Sequence, residues 1–462
     1  MERPCLRNLV LSPYSSTLPG DEQEEEGNDK TPASFLLEDP EGFAPPLVLP
    51  VPLAVLVSLM DGNRTLEEIQ QEFLHTTGEK VAMHDLEEIV AHFDKLHMLD
   101  SPDFSAFLKN EIDTFQALLT RPAAMAGGAY EKDPQGLQRQ IERSLEIPLA
   151  LMRSENQSEN QTKEKNFPRN ARAFVAPHVD LERGAASYGW IYNALAQCDA
   201  EVFLIFGVSH NPMRQKFAFT TKGFDTPIGL LPTDVDFIRR TAALFHEKYD
   251  ASQDALQGEK EPVDLFADEF VHRDEHSIEF QTIFLRHCAN QTGREIRIVP
   301  ILVNSFAPFL ASGAVESPMD DAVVRLFLES VTQAIDESDA RFGVIASADF
   351  SHTGPMYGLP KPIDLAAQDV LRTEDAALID SIAKVDPEGF WAQIAQSNNK
   401  NNVCGVAPIY CTLKIAQHLA CRTGSLLSYE QAVDDETRSC VSFAALALAP
   451  GAVAAGTGAA GT

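Results

Sequence analysis

Basic residues are scarce: 37 Lys and Arg stand against 68 Asp and Glu, a formal net charge of -31 at pH 7. Nucleic-acid binding works by neutralising phosphates with Lys and Arg, so this balance argues against a nucleic-acid partner. Cysteine is also sparse. The seven present form an odd set without regular spacing, which does not suit a disulfide framework, and no Cys-x-x-Cys pair suggests a structural zinc site. No apolar stretch is long enough to span a bilayer, and the opening MERPCLRNLVLSPYSS lacks the apolar core of a signal peptide. The expectation is a soluble protein of the reducing cytoplasm with no membrane partner. What is present is ordinary globular material: 44% hydrophobic and 23% charged, over 462 residues that exceed one core and imply two or three domains.

Residues 1–33 read as a flexible acidic segment, because the run DEQEEEGND from Asp21 to Asp29 repels itself. Residues 34–103 read as a small helical module. An apolar segment from Leu53 to Met60 ends at the turn Asp61-Gly62-Asn63, and Thr65 with Glu68 forms a capping box. Leu66, Ile69 and Phe73 follow at helical spacing, and Leu86, Ile89, Val90, Phe93 and Leu96 share one face of a second helix. This pattern, with its Asp-Gly-x-Arg-Thr turn, resembles the winged-helix-like domain of the PqqD family. The resemblance implies either peptide recognition in a peptide-modifying pathway or a structural docking role.

Residues 104–123 read as a connecting helix, centred on Leu108 to Leu119. From 124 to 449 the chain reads as one α/β domain. Asp133-Pro134 opens a helix, and the polar stretch from Ser154 to Asn166 reads as a flexible surface loop. Apolar strand-like runs at 171–177, 201–207, 294–303, 342–349 and 440–449 then alternate with helix-like segments at 184–196, 235–248, 278–287, 322–335 and 407–420. Such alternation predicts a mostly parallel sheet with helices on both faces, and the last strand suits an antiparallel position. Residues 450–462, rich in Gly and Ala, cannot build a core and read as a disordered tail.

Reactive side chains follow the apolar runs. FGVIASADFSH stops at Asp349 and His352, ARAFVAP is followed by His178, and EVFLIFG is followed by Ser209 and His210. Open α/β sheets place their ligand sites beyond the carboxyl ends of strands, so three such ends point to one crevice. His276, after Asp274 and Glu275, sits at the start of an apolar helix, where the dipole disfavours its cation. Cys404, in the segment from Asn401 to Gly405, precedes another helix and could be held there as a thiolate. Imidazole and thiolate donors suit zinc, copper or iron(II). A cysteine nucleophile with His276 or His352 as its base is a rival reading.

The ordered set AGGAYEKDP (126–134), APHVDLERG (176–184), GVSHNP (207–212), DEHSIEFQ (274–281), SADFSH (347–352) and VCGVAP (403–408) resembles the Memo family, which includes the AmmeMemoRadiSam system protein B group. The resemblance implies a fold similar to the LigB-like class III extradiol dioxygenases. It implies metal ligation by His178, His210 and Cys404, with iron(II) the expected ion and copper or zinc the alternatives. It places His352 as the acid/base group, with Asp349 and His276 lining the same cleft. In the dioxygenases the third ligand is a Glu, so Cys404 departs from them and puts ring cleavage in doubt. The implied partners are a small-molecule substrate, O2, a radical SAM enzyme and an AMMECR1-like protein. The implied function is a non-haem-iron redox enzyme, or alternatively an iron- or copper-binding scaffold whose N-terminal module binds a peptide or partner enzyme.

Overall fold

The computed structural model describes residues 2–14, 34–158, 167–168, 170–256, 263–313 and 316–451. The acidic run at 21–29, residues 159–166 of the polar stretch and the tail from 452 onward lie outside the described residues. The chain divides into two compact units, Met1–Ala117 and Leu118–Thr462.

In the N-terminal unit, β1 (Val10–Tyr14), β2 (Ser34–Glu38) and β3 (Leu47–Pro50) form an antiparallel sheet in that order. Four helices follow: α1 (Val51–Ser58), α2 (Leu66–Thr77), α3 (Met83–Lys95) and α4 (Pro102–Ala117). The capping box at α2 is present: Glu68 donates its backbone N–H to Thr65 Oγ1 at 3.3 Å, and Glu68 Oε2 accepts from the Thr65 N–H at 2.8 Å. Leu86, Val90 and Phe93 of α3 face a core shared with Ile69 and Phe73 of α2. A buried ion pair sits in this unit: Arg7 pairs with Asp39 at 2.9 Å and covers the Phe104 ring at 3.9 Å. The sequence reading anticipated the helices but not the three-stranded sheet.

The C-terminal unit opens with β4 (Thr120–Arg121) and α5 (Pro134–Ser158), whose last turn takes in residues 154–158 that read as loop. It continues through β5 (Ala173–Ala176), α6 (Ala185–Leu195), β6 (Val202–Val208), β7 (Phe217–Phe219), β8 (Gly223–Phe224), α7 (Val235–Leu256) and α8 (His276–Thr292). Next come β9 (Arg297–Val303), α9 (Ala307–Ser312), α10 (Ala322–Asp336), β10 (Phe342–Ser347), β11 (His352–Thr353), α11 (Leu365–Ala383) and α12 (Pro387–Ser397). The unit closes with α13 (Val406–His418), β12 (Cys421–Val433) and β13 (Cys440–Pro450). The main sheet runs β11-β13-β5-β10-β6-β9-β7, with β12 paired to β13. Strands β5, β10, β6 and β9 are mutually parallel, and β13 and β7 are antiparallel to their neighbours. The four parallel strands and the antiparallel last strand β13 match the α/β sheet that the alternating runs predict, while the antiparallel pairings of β7, β11 and β12 make it more mixed than expected.

Both faces of the parallel strands are covered. Val202, Leu204 and Phe206 of β6 point into a core built with α7, α10, α12 and α13, while Phe203 and Ile205 point into one built with α5, α6 and α8. Each such side chain contributes roughly 1.5–3 kcal/mol when fully buried, so alternate residues of one strand hold helices on opposite faces. Gly207, near the end of β6, lets α8 approach closely: a Cβ there would lie 2.6 Å from Ile278 Cγ1 and 2.7 Å from Ser277 Oγ. Gly207→Ala therefore forces α8 away from β6. The expected cost is about 1–3 kcal/mol, measurable in urea unfolding; an unchanged midpoint would show that α8 yields freely.

Candidate metal centre

Three adjacent strands end at one level. Ser347 of β10 is in register with Ala176 of β5 on one side and with Gly207 of β6 on the other. The residue two past the last position of each strand is reactive: His178 after β5, His210 after β6 and Asp349 after β10. Helix α8 brings its first residue, His276, to the same place. The ring centroids of His178, His210 and His276 lie 4.5–5.5 Å apart. One nitrogen from each lies within 4.8 Å of the others, so the three can hold a metal ion.

The hydrogen bonds orient these rings. His178 Nδ1 faces the Ser347 carbonyl at 3.1 Å. A carbonyl only accepts, so Nδ1 carries the proton and Nε2 is left with its lone pair. His210 Nδ1 faces Glu275 Oε1 at 3.0 Å, which leaves its Nε2 free in the same way. Imidazoles with fixed Nδ1–H donors and free Nε2 lone pairs, one buried (His178) and one exposed (His210), fit a bound cation, and a carboxylate behind one of them strengthens that fit. Glu275 does more. Its Oε2 accepts from the His210 backbone N–H at 2.8 Å, its Oε1 caps α8 by accepting from Ser277 N–H at 2.9 Å, and His276 Nδ1 lies 3.4 Å away.

Charge is arranged to match. Burial drives the His178 pKa well below its ordinary value and lowers that of His276, so both resist protonation. Burial also opposes a charge on His210, but the Glu275 hydrogen bond and carboxylate outweigh it and raise its pKa. Glu275 is buried, yet the His210 hydrogen bond and the surrounding imidazoles hold its carboxyl down at about 2. Asp349 behaves in the opposite way: burial pushes its carboxyl up to about 7, against the backbone N–H groups of His178 and Val179. Its Oδ1 accepts from the His178 N–H at 3.0 Å, and its Oδ2 lies 3.7 Å from His178 Nε2.

Cys404 sits just before α13, with its Sγ 3.5 Å from His178 Nε2 and 3.5 Å from the Asp349 carbonyl. Gly405 makes that approach feasible, since a Cβ there would lie 2.6 Å from Asp349 O. The expectation of a thiolate favoured by the helix start is corrected here: burial, reinforced by Asp349, pushes the thiol pKa well above its usual value. A free nucleophilic thiolate is therefore disfavoured, and a cation is what would stabilise one. His352 stands outside the three-histidine group. Its Nδ1 faces Phe350 O at 3.1 Å, its ring meets Tyr357 edge-on at 5.0 Å, and burial lowers its pKa.

Sequence reasoning missed the supporting groups. Gln281 of α8 donates to Pro177 O at 2.8 Å and to Ser347 Oγ at 2.7 Å, while Tyr192 OH donates to its Oε1 at 2.7 Å. It thereby fixes both the residue before His178 and the strand end that orients the His178 ring. Arg121 is fully buried, donates to Glu275 O at 2.9 Å and to His272 O at 2.8 Å, and pairs with Glu279, which also accepts from Tyr130 OH. The AGGAYEKDP motif thus supplies Tyr130 as a support beneath α8.

The family profile described as Memo-like protein matches residues 121–447. The chain belongs to the Memo-like family. Among its relatives, a MEMO1 family protein of Aquifex aeolicus is 27% identical over 89% of this chain and 95% of its own length. A Thermus thermophilus member is 26% identical, covering 84% of this chain and 100% of the relative. A Pyrococcus furiosus member, also 26% identical, covers 62% of this chain and 89% of the relative. The Aquifex match covers more of this Memo-like chain than residues 118–462 contain, so the similarity extends into the N-terminal unit.

Two predictions follow from the electrostatics of this Memo-like centre. Glu275→Gln keeps the shape but removes the charge behind His210; metal affinity is expected to fall about 10- to 100-fold, read by competition with a chelating dye. Unchanged affinity would mean that Glu275 only caps α8. His272 is fully buried against Ala218 O, and burial lowers its pKa to about 4. The unfolded chain takes up that proton first, so the stability contribution is complete above about pH 6.5 and is lost as pH falls through 4. It amounts to roughly 3 kcal/mol in full. Urea unfolding of metal-free protein at pH 7 and pH 5 is expected to show a smaller acid loss for His272→Gln than for wild type; equal losses would exclude His272 as the source.

Proposed function

We propose that the chain is a metal-dependent redox enzyme in which His178, His210 and Cys404 hold iron(II) and a small substrate reacts beside them. The observation that carries this reading is the placement of Cys404 Sγ 3.5 Å from the free Nε2 of His178, which itself groups with His210 and His276; Cys404 stands beside that group rather than in it. The donor set combines imidazole with a potential thiolate, which suits iron(II) and copper, and three protein ligands leave positions open for reaction. When bound, iron(II) supplies redox chemistry with O2 as the oxidant.

The chain's own residues handle orientation and protons. Glu275 fixes the His210 ring through two carboxylate oxygens within 3.2 Å of Nδ1. Asp349, whose carboxyl burial pushes up to about 7 before any cation binds, is placed beside His178 to take up or give a proton. His352, with Nδ1 committed to Phe350 O, offers Nε2 as a base. His276 faces the two ligating imidazoles from α8 and orients substrate. Family membership supports a place for this reaction beside a radical SAM enzyme and an AMMECR1-like protein. The N-terminal unit, into which the Aquifex similarity extends, serves in this reading as the element that recruits a peptide or partner enzyme.

The test is elemental analysis of protein purified without oxygen or chelators. Wild type and His276→Ala are expected to retain about one equivalent of iron, and His178→Ala, His210→Ala and Cys404→Ala are expected to lose most of it. Retention by Cys404→Ala together with loss by His276→Ala would replace the proposed ligands with the three histidines. Copper in place of iron would overturn the assignment of the ion.

A further inference from the structure

A cavity of about 290 Å3 opens from the centre, with His210 and Cys404 in its wall. Its far wall comes from β9, α9 and the first turn of α13, through Val303, Phe306, Leu310 and Val406. No Lys, Arg, Asp or Glu lines it, so His210 and Cys404 are its only ionisable side chains among the described residues.

The polar side chains in the wall are committed to the wall itself. Asn399 holds Val403 at both ends of its amide, donating to Val403 O at 3.2 Å and accepting from Val403 N at 2.9 Å. Ser209 Oγ donates to Asn211 O at 2.7 Å, and Ser305 Oγ accepts from Ala307 N at 3.1 Å. Pro408, in the first turn of α13, has no N–H to offer. A charged group placed against the far wall, away from His210 and Cys404, would lose its hydration and gain no counter-charge, which is strongly unfavourable. The chain's net charge of -31 adds a long-range repulsion against anions.

We infer that this cavity takes a substrate with an apolar chain or ring, uncharged at its far end, whose single polar end faces His210 and Cys404. The inference rests on the reading of the centre as a reaction site, and it narrows the substrate class: molecules that carry a carboxylate, phosphate or amine at the end away from the centre are excluded. Specificity then lies in the length and width of the apolar part, because one methylene in a pocket of this kind is worth about tenfold or more in discrimination.

Three alcohols of one length isolate the charge at the far end: 1-hexanol, 6-hydroxyhexanoate and 6-amino-1-hexanol. Their binding is measured by saturation-transfer NMR against both metal-free and iron-loaded full-length protein. 1-Hexanol is expected to bind about tenfold or more tightly than either charged analogue. Ala307 is exposed and lines the mouth of the cavity, so Ala307→Trp is expected to weaken 1-hexanol binding about tenfold or more while leaving iron content and thermal midpoint unchanged. Comparable binding of all three alcohols, no binding of any, or 1-hexanol binding that survives Ala307→Trp overturns the inference. Should iron fail to load while metal-free protein still prefers 1-hexanol and loses it in Ala307→Trp, the cavity assignment stands and the iron assignment falls.

Discussion

The centre depends on a constraint of register. Strands β5, β10 and β6 are held level by a ladder in which Ala176, Ser347 and Gly207 are direct neighbours. The side-chain period of a strand is two, so a slip of one residue would turn every core residue to the opposite face. Because both faces are packed against helices, that slip is forbidden, and the residues just beyond the ladder are fixed as tightly as the core. His178, His210 and Asp349 inherit their positions from hydrophobic packing several residues away. No loop needs to be shaped for them.

On this frame a few buried polar groups set the chemistry. Glu275 is at once the N-cap of α8, the acceptor for the His210 backbone and the partner of its ring. Gln281, further along α8, ties Pro177 and Ser347 together. A single helix start therefore governs two of the three imidazoles and supplies the third. Burial keeps His178 neutral and raises Asp349, whereas at Glu275 the neighbouring imidazoles overcome burial and hold the carboxyl down.

Much of this was legible in the sequence because doubly buried strands leave unmistakable apolar runs. EVFLIFG could only be a central strand, and the His that follows it had to emerge at a sheet end. Edge elements left no such mark. β1 is exposed at four of its five positions, and β12 carries polar residues along its length with two register shifts against β13, so neither has the periodicity that betrays a strand. In the centre, His178, His210, His276, Asp349 and Cys404 were found by their place after apolar runs or before helices. Glu275 was not, because a carboxylate before a helix reads as an ordinary cap, which it also is. Arg121 gave no signal, and Gln281 entered only as the last residue of the DEHSIEFQ motif, without a role: a buried amide or guanidinium is defined by what it meets in space, and their partners are distant in the chain.

The strand order carries a consequence for biosynthesis. β5 pairs only with β10 and β13, both of which come far later in the chain, and His178 meets Asp349 across 171 positions of sequence. A ribosome releasing this chain must leave Ala173–Ala176 without a partner until Phe342–Ser347 emerges, and Cys404 appears later still. Pairing over such separations is slow, since loop closure precedes its reward. The cluster of His178, His210, Asp349 and Cys404 is therefore completed only near the end of synthesis.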